Sequence, residues 1–313
     1  MLGQFISASH YADLLARGRN EAAPMLEFEP ATLNSCYNRT PFLVRHRLGT
    51  HALFSLEQLF ALCRRLPAES ILYRAGSIPG DAEFDSSYER YRQGLTLDET
   101  LNHFEERQAY ICINNPERDP LFLPLIEGLL AEIAAQIDPI DPRISWYSTY
   151  IFISSRDSVT PYHMDREVNF LLQIRGHKTV YLWDPSDEDI MTAEQKDFLL
   201  SHVGSRPAYK PSFESKAMTF GLEPGLGVHH PFIAPHRVHT GAELSISFAV
   251  TFRTRRSDTL TDAHRFNARM RKLGLHPMPV GSSRLLDRAK SGAARMGQRV
   301  HRKLATVDED VAS

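Results

Sequence analysis

Apolar positions recur along this chain with two different periods, and the changes between them mark its elements. Trp146–Ser154, Asn169–Ile174, Lys178–Trp183 and Leu244–Phe252 are short and rich in β-branched and aromatic residues, and the last alternates strictly, so all four predict strands. Thr40–Arg45 and Ile71–Arg74 read the same way. Only Arg175-Gly176-His177 separates the second and third of the four runs, which predicts a hairpin reversing at the glycine. Helical spacing marks Ser55–Leu66, where Ser55 and Gln58 form a capping-box pattern, and also Leu97–Glu106. Leu121–Ile137 is apolar enough to pack on the outside of a sheet. Ala193–Val203 predicts a helix inserted between strands, after which Lys210–Gly221 continues the sheet. Residues 1–30 predict a short helix and then a loop bearing Pro24 and Pro30. Ser77–Gly94 is polar, with Tyr88 and Tyr91, and reads as a surface loop, the alternative being a lid over a substrate.

Beyond Phe252 the pattern changes. Arg253–Lys303 holds 14 Lys or Arg against three Asp, so a basic C-terminal region follows an acidic body, and Asp308, Glu309 and Asp310 come near the end. Thr261–Leu273 and Arg284–Leu304 look helical. In the second, Leu286, Ala289, Ala293, Met296, Val300 and Leu304 recur at threes and fours and define one apolar stripe. Such a stripe suits a helix packed on its own domain, a helix that pairs with a second copy, or a surface for an anionic partner. Aromatic residues do not interleave with the basic ones, which argues against nucleic acid because a stacking platform is missing.

Composition bounds the class. At 313 residues, 42% hydrophobic and 24% charged, the chain resembles an ordinary globular protein with room for a sizeable core. It has no uninterrupted apolar run of the roughly 18 residues that a transmembrane helix needs. The first residues lack the basic lead and apolar core of a signal peptide. Cys36, Cys63 and Cys112 have no metal-type spacing and read as reduced thiols, so a cytoplasmic protein is expected.

The candidate chemistry lies between the strands. His163 and Asp165 stand two apart on an extended segment, so both side chains reach the same side and can hold one cation. A second histidine would complete the two-histidine, one-carboxylate set that suits non-haem Fe(II) and leaves positions open for a co-substrate and oxygen. His103 and Glu105 repeat the triplet, but at the solvated end of a predicted helix. Four histidines, His229, His230, His236 and His239, compete to be the third ligand just before the Leu244–Phe252 strand. A histidine beside a proline in a loop is ordinarily a hydrogen-bonded surface group, and His229 and His230 are read so. The long interval from Asp165 to this cluster suits a jelly roll, which brings strands distant in sequence together. Lys178 shares a face with Val180 and Leu182, which makes it an inward lysine that needs an anion.

These residues carry a resemblance. Thr160-Pro161-x-His163-x-Asp165, Asn169-Phe170 and Gln173-Ile174-x-Gly176-x-Lys178 resemble the core hairpin of the JmjC-type, cupin-like 2-oxoglutarate oxygenases, above all the asparaginyl hydroxylases that act on hypoxia-inducible factor. The resemblance implies iron ligation by His163 and Asp165, co-substrate carboxylate binding by Lys178 and Thr160, and a supporting polar role for Asn169. It selects His236, in Ala234-Pro235-His236-Arg237-Val238, as the distal ligand over His239. A family tyrosine that reaches the same carboxylate aligns with Tyr110. Thr251 departs from the pattern, standing where those hydroxylases have an asparagine that contacts the co-substrate, so the contact survives through the hydroxyl or is lost.

The implied fold is mainly β, a double-stranded β-helix (jelly roll) with flanking helices and a helical C-terminal region. Residues 1–252 form the catalytic domain, with 1–140 as α+β support and the core over about 141–252, and 253–313 form the basic region. The implied function is an Fe(II)- and 2-oxoglutarate-dependent oxygenase, using O2 to hydroxylate a protein side chain or a small amino-acid-like molecule. Pairing of C-terminal helices into a homodimer follows from the same resemblance. The competing expectations are a cupin-fold regulator that binds metal or ligand without turnover, and a cupin enzyme that uses no keto acid.

Overall fold

In a computed structural model of the chain, residues 3–311 are described, with side chains over 3–297. The strands are β1 (Gln4–Phe5), β2 (Leu26–Glu27), β3 (Leu43–His46), β4 (Ile71–Arg74), β5 (Tyr110–Asn114), β6 (Ile144–Ser154), β7 (Val159–Met164), β8 (Val168–Arg175), β9 (Lys178–Leu182), β10 (Met218–Leu222), β11 (Leu226–His230), β12 (Pro235–Thr240) and β13 (Ser245–Thr254). The helices are α1 (Ala8–Arg19), α2 (Pro30–Cys36), α3 (Leu56–Arg65), α4 (Ser87–Arg90), α5 (Leu97–Asn102), α6 (Leu123–Ile137), α7 (Ala193–Leu200), α8 (Arg255–Lys272) and α9 (Arg284–Val311).

The strands form two antiparallel sheets. The larger runs β2-β3-β11-β8-β13-β6-β5-β4, with β1 on β6, and the smaller runs β10-β9-β12-β7. Leu171, Val228 and Ala249 of the larger sheet meet Val180, Leu182 and Val238 of the smaller in one buried core. This is the jelly roll with flanking helices that the resemblance implies.

The predicted hairpin is not one. β8 pairs with β11 and β13, whereas β9 pairs with β10 and β12, so the Arg175–His177 link carries the chain from one sheet to the other. Residues on both faces of β8 are buried, and a strand covered on both faces takes its partners from a sheet interior. Gly176 makes the corner at φ +68°, where a Cβ would lie 2.4 Å from the Leu244 carbonyl oxygen. The same crossing recurs between β11 and β12, which places His229 and His230 in one sheet and His236 and His239 in the other.

Local chemistry explains the flanks. Ser55 accepts the Gln58 N–H and starts α3 as its spacing predicts. In α6, Leu125, Ile126, Leu129, Leu130, Ile133 and Ile137 are buried, and α1 comes so close that a Cβ at Gly18 would clash with the Ala131 carbonyl. Lys210–Gly221 differs from expectation. Pro211–Lys216 is a 3-10 turn and only Met218–Leu222 is strand, since Pro211 fixes its φ and offers no N–H to a ladder.

The chain divides into two compact units: residues up to Pro185 with Ala208–Thr254, and Ser186–Pro207 with the residues from Arg255 onward. Within the second unit, α7 packs on α8, and buried Asp197 accepts from His264 Nδ1 at 2.7 Å and Arg271 Nε at 2.8 Å. The α9 stripe is turned the other way from a core-facing stripe. Ala289, Ala293 and Met296 are exposed and Leu286 is half-buried, while Asp287, Lys290, Ser291 and Ala294 face inward. Val300 and Leu304 lie outside the described side chains. The reason is a polar seam, in which Ser291 and Arg295 donate to Asp262 of α8.

Gly176→Ala is expected to lower stability by about 2–4 kcal/mol, since both the left-handed backbone and the Leu244 carbonyl oppose a methyl group. A thermal melt within a degree of the parent protein would contradict this account of the corner.

Candidate active site

His163 on β7 and His236 on β12 are register partners across the smaller sheet, and Asp165 follows directly after β7. Each imidazole donates from Nδ1 to the carbonyl two residues before it, His163 to Pro161 at 2.8 Å and His236 to Ala234 at 3.1 Å. A carbonyl can only accept, so Nδ1 of each ring carries a proton and Nε2 is the atom each ring turns toward the corner. Both Nε2 atoms face Asp165, at 3.9 and 3.8 Å from its two oxygens. One ligand atom from each of the three residues lies within 4.8 Å of the others, and among the described residues no other such trio occurs. Two neutral nitrogens and one carboxylate in this spacing fit a divalent first-row ion.

The remaining sequence-predicted residues fall into three groups. Lys178 is 4% exposed between the sheets, and its Nζ donates to Ser247 Oγ at 2.5 Å, not to Thr160 or Tyr110. Burial pushes its pKa down to about 7. Tyr110 and Thr160 share a 3.0 Å hydrogen bond, with the Arg74 guanidinium 4.4 Å above the Tyr110 ring. Burial drives the Tyr110 hydroxyl up to about 12, so it is a neutral donor. Asn169 and Thr251 are neighbours across β8 and β13. Thr251 Oγ1 donates to the Ser148 carbonyl at 2.6 Å, while Asn169 Oδ1 is buried without a partner among the described residues.

Among the competing histidines, His239 turns its ring to Tyr181 at 5.3 Å, while the rings of His163 and His236 lie 4.1 Å apart. His229 and His230 are fully buried rather than surface groups, because their strand lies inside the larger sheet. Burial pushes His229 down to about 3 and His230 well below the usual imidazole range. His103 pairs with Glu106 in solvent, as the helix-end reading requires.

Sequence reasoning missed several groups that only packing assembles. Phe84, from the polar Ser77–Gly94 stretch, stacks on His163 with centroids 3.7 Å apart and planes 4° apart. The Gly80 carbonyl accepts the Tyr162 N–H at 3.1 Å, so this loop lies over the candidate metal corner and is not an ordinary surface loop. Three aromatics in a polar loop, Phe84, Tyr88 and Tyr91, are the available signal. Cys112 lies within electrostatic reach of Asp165, Lys178 and Arg74, and burial drives its thiol up to about 12. Glu167 rises to about 7 through burial and the nearby Asp165, with Arg253 and Arg166 pulling it back.

The cupin-like domain family matches residues 78–258, more than half of the chain, and the chain belongs to that family. No curated protein matches it. Among solved structures it is similar to YcfD of Escherichia coli, at 16% identity and a TM-score of 0.46, covering 87% of this chain and 68% of that one. A structure described as the ribosomal oxygenase YcfD in complex with cobalt and 2-oxoglutarate is similar at 14% identity and a TM-score of 0.44, covering 83% of this chain. The structure of YcfD described as a ribosomal oxygenase is similar at 16% identity and a TM-score of 0.44, and this chain spans 60% of its length.

Two outcomes are expected from this geometry. His163→Ala, Asp165→Ala and His236→Ala should each weaken Mn(II) or Co(II) binding by about 100-fold or more, measured by calorimetry. Equal affinity in any one of them removes that residue from the corner. Lys178→Met should stabilise the ligand-free protein. Because the folded-state pKa is depressed, the folded protein holds fewer protons than the unfolded chain between about pH 7 and 10.5, so stability rises with pH there and the cost is full below pH 7. At pH 6 the variant should gain roughly 2–5 kcal/mol, and the gain should vanish above about pH 10.5. A variant less stable than its parent at pH 6 would show that the ammonium costs nothing where it lies.

Proposed function

We propose that this chain is an Fe(II)- and 2-oxoglutarate-dependent oxygenase that hydroxylates a protein side chain or a small amino-acid-like molecule. The observation that carries this reading is the pairing of a two-histidine, one-carboxylate corner with a buried lysine inside one jelly roll. A corner alone suits many metalloenzymes, and a buried lysine alone is only a cost. Together they suit a ligand that is a metal chelator at one end and an anion at the other.

His163, Asp165 and His236 would hold the ion. Lys178 would meet the distal carboxylate with a charge-assisted bond, and Thr160 and Tyr110 would add hydroxyls. Ser247 keeps the ammonium in place before the anion arrives. When bound, the iron, 2-oxoglutarate and O2 supply the chemistry, in which one oxygen enters a C–H bond and the other leaves in succinate as CO2 is released. Phe84, stacked on His163, would shield the corner from water. The wide pKa gap between Lys178 and Tyr110 lets one carry charge while the other stays neutral.

The reading includes partners and place. The exposed apolar residues of α9, Leu285 at 77% and Met296 at 68% exposure, support pairing of two copies through C-terminal helices. No described helix is long and apolar enough to cross a membrane. The free thiols of Cys36, Cys63 and Cys112 support residence in the reducing cytoplasm.

The purified protein, given Fe(II), ascorbate and O2, should convert 2-oxoglutarate to succinate slowly even without a prime substrate. Absence of succinate with metal and 2-oxoglutarate both bound would instead favour a regulator without turnover. Affinity for 2-oxoglutarate should fall as pH rises above about 7, approaching tenfold per unit, because the anion binds only the protonated ammonium. A Lys178→Gln variant should bind weakly with a flat profile over the same range, and an equally flat parent profile would remove Lys178 from carboxylate recognition.

A further inference from the structure

His230 is 2% exposed, and neither of its ring nitrogens has a hydrogen-bond partner among the described residues. Its neighbour His229 uses both, donating from Nδ1 to the Asn169 carbonyl at 3.2 Å and accepting the Asn38 N–H at Nε2 at 3.0 Å. The two differ in the face they occupy. Val228 enters the core between the sheets, so His230, two residues along the same strand, points inward as well. His229 points outward, between Tyr37 and Phe42.

The inward row continues across the sheet. Asn169 stands opposite His230 on β8, and Thr251 stands opposite Asn169 on β13. From the smaller sheet, the His236 ring meets the His230 ring at 4.6 Å between centroids and 65° between planes. The wall beside the candidate metal ligands therefore holds His230 Nδ1, His230 Nε2 and Asn169 Oδ1, all buried without partners among the described residues. Each such atom costs about 1–3 kcal/mol, and an apolar side chain like that of Val228 would avoid the cost. Polar groups persist at this depth when something that arrives there binds them. The arriving group is constrained by the rest of the cavity. On the oxygenase reading, a diacid whose distal carboxylate meets Lys178 would bring its other end to the metal corner. That end is an acceptor. The Thr251 hydroxyl is already donated to the Ser148 carbonyl, whereas His230 brings a ring N–H donated to nothing.

We propose that His230 is a positioning residue that donates a hydrogen bond to the carboxylate head of a 2-oxo acid held at the corner of His163, Asp165 and His236. The proposal rests on the oxygenase reading above and assigns the near end of the same co-substrate. The full-length parent and the variants His230→Leu and His230→Gln would be loaded with Co(II) and then titrated anaerobically with 2-oxoglutarate. Calorimetry and the visible absorption of Co(II) supply the readouts. Co(II) affinity should stay within about threefold in all three proteins. Affinity for 2-oxoglutarate should fall about tenfold or more in His230→Leu, with a smaller shift in the Co(II) spectrum, and recover in His230→Gln, which keeps an N–H donor. If His230→Leu fails to fold by circular dichroism, His230→Phe, which keeps a ring without a donor, takes its place. The proposal is overturned if the donor-less variant binds 2-oxoglutarate within about twofold of the parent. Parallel loss of Co(II) and 2-oxoglutarate also overturns it, because His230 would then only prop His236. A parent that binds Co(II) but no 2-oxoglutarate defeats the oxygenase reading itself, a failure seen before any variant is made.

Discussion

An ammonium buried between two sheets, donating to the Ser247 hydroxyl, is the constraint around which the interior is arranged. Lys178 could reach solvent only if β9 left the smaller sheet, and β9 is hydrogen-bonded on both sides, to β10 and β12. Its alternation puts Lys178, Val180 and Leu182 on one buried face, so the register that buries the two apolar residues also buries the charge. Keeping such a group at this depth costs stability. The depressed pKa expresses the same cost in protons.

The candidate metal corner obeys a similar logic with less expense. Each imidazole donates from Nδ1 to the carbonyl two residues before it, Pro161 within β7 and Ala234 just ahead of β12. Both Nε2 atoms face the Asp165 carboxylate, an arrangement well suited to a cation. The pairing of His163 with His236 follows from the β7–β12 register, which shifts just beyond them. A register displaced by one residue would turn the histidines to opposite faces.

The helical C-terminal residues follow different physics. Their seam joins Asp262 to Ser291 and Arg295, and Leu285, Ala289, Ala293 and Met296 of α9 are left exposed. Amphipathic spacing alone states that a stripe exists; it does not state which face of the helix meets its neighbour. Here the carboxylate of α8 decides, because a buried acid needs donors and α9 supplies them from its polar face.

The sequence by itself determined the elements and much of the chemistry. Alternation located the core strands, Ser55 started α3, and the spacing of His163, Asp165 and Lys178 already pointed to a cation corner and an inward lysine. Tertiary structure decided everything that depends on which strands become neighbours. It separated β8 from β9, put His229 and His230 inside a sheet, brought Phe84 onto His163 and gave Lys178 to Ser247. These contacts join residues far apart in the chain, and periodicity carries no record of them. A strand pattern reports that one face is buried, while the identity of what lies against that face is settled only when two sheets close over it.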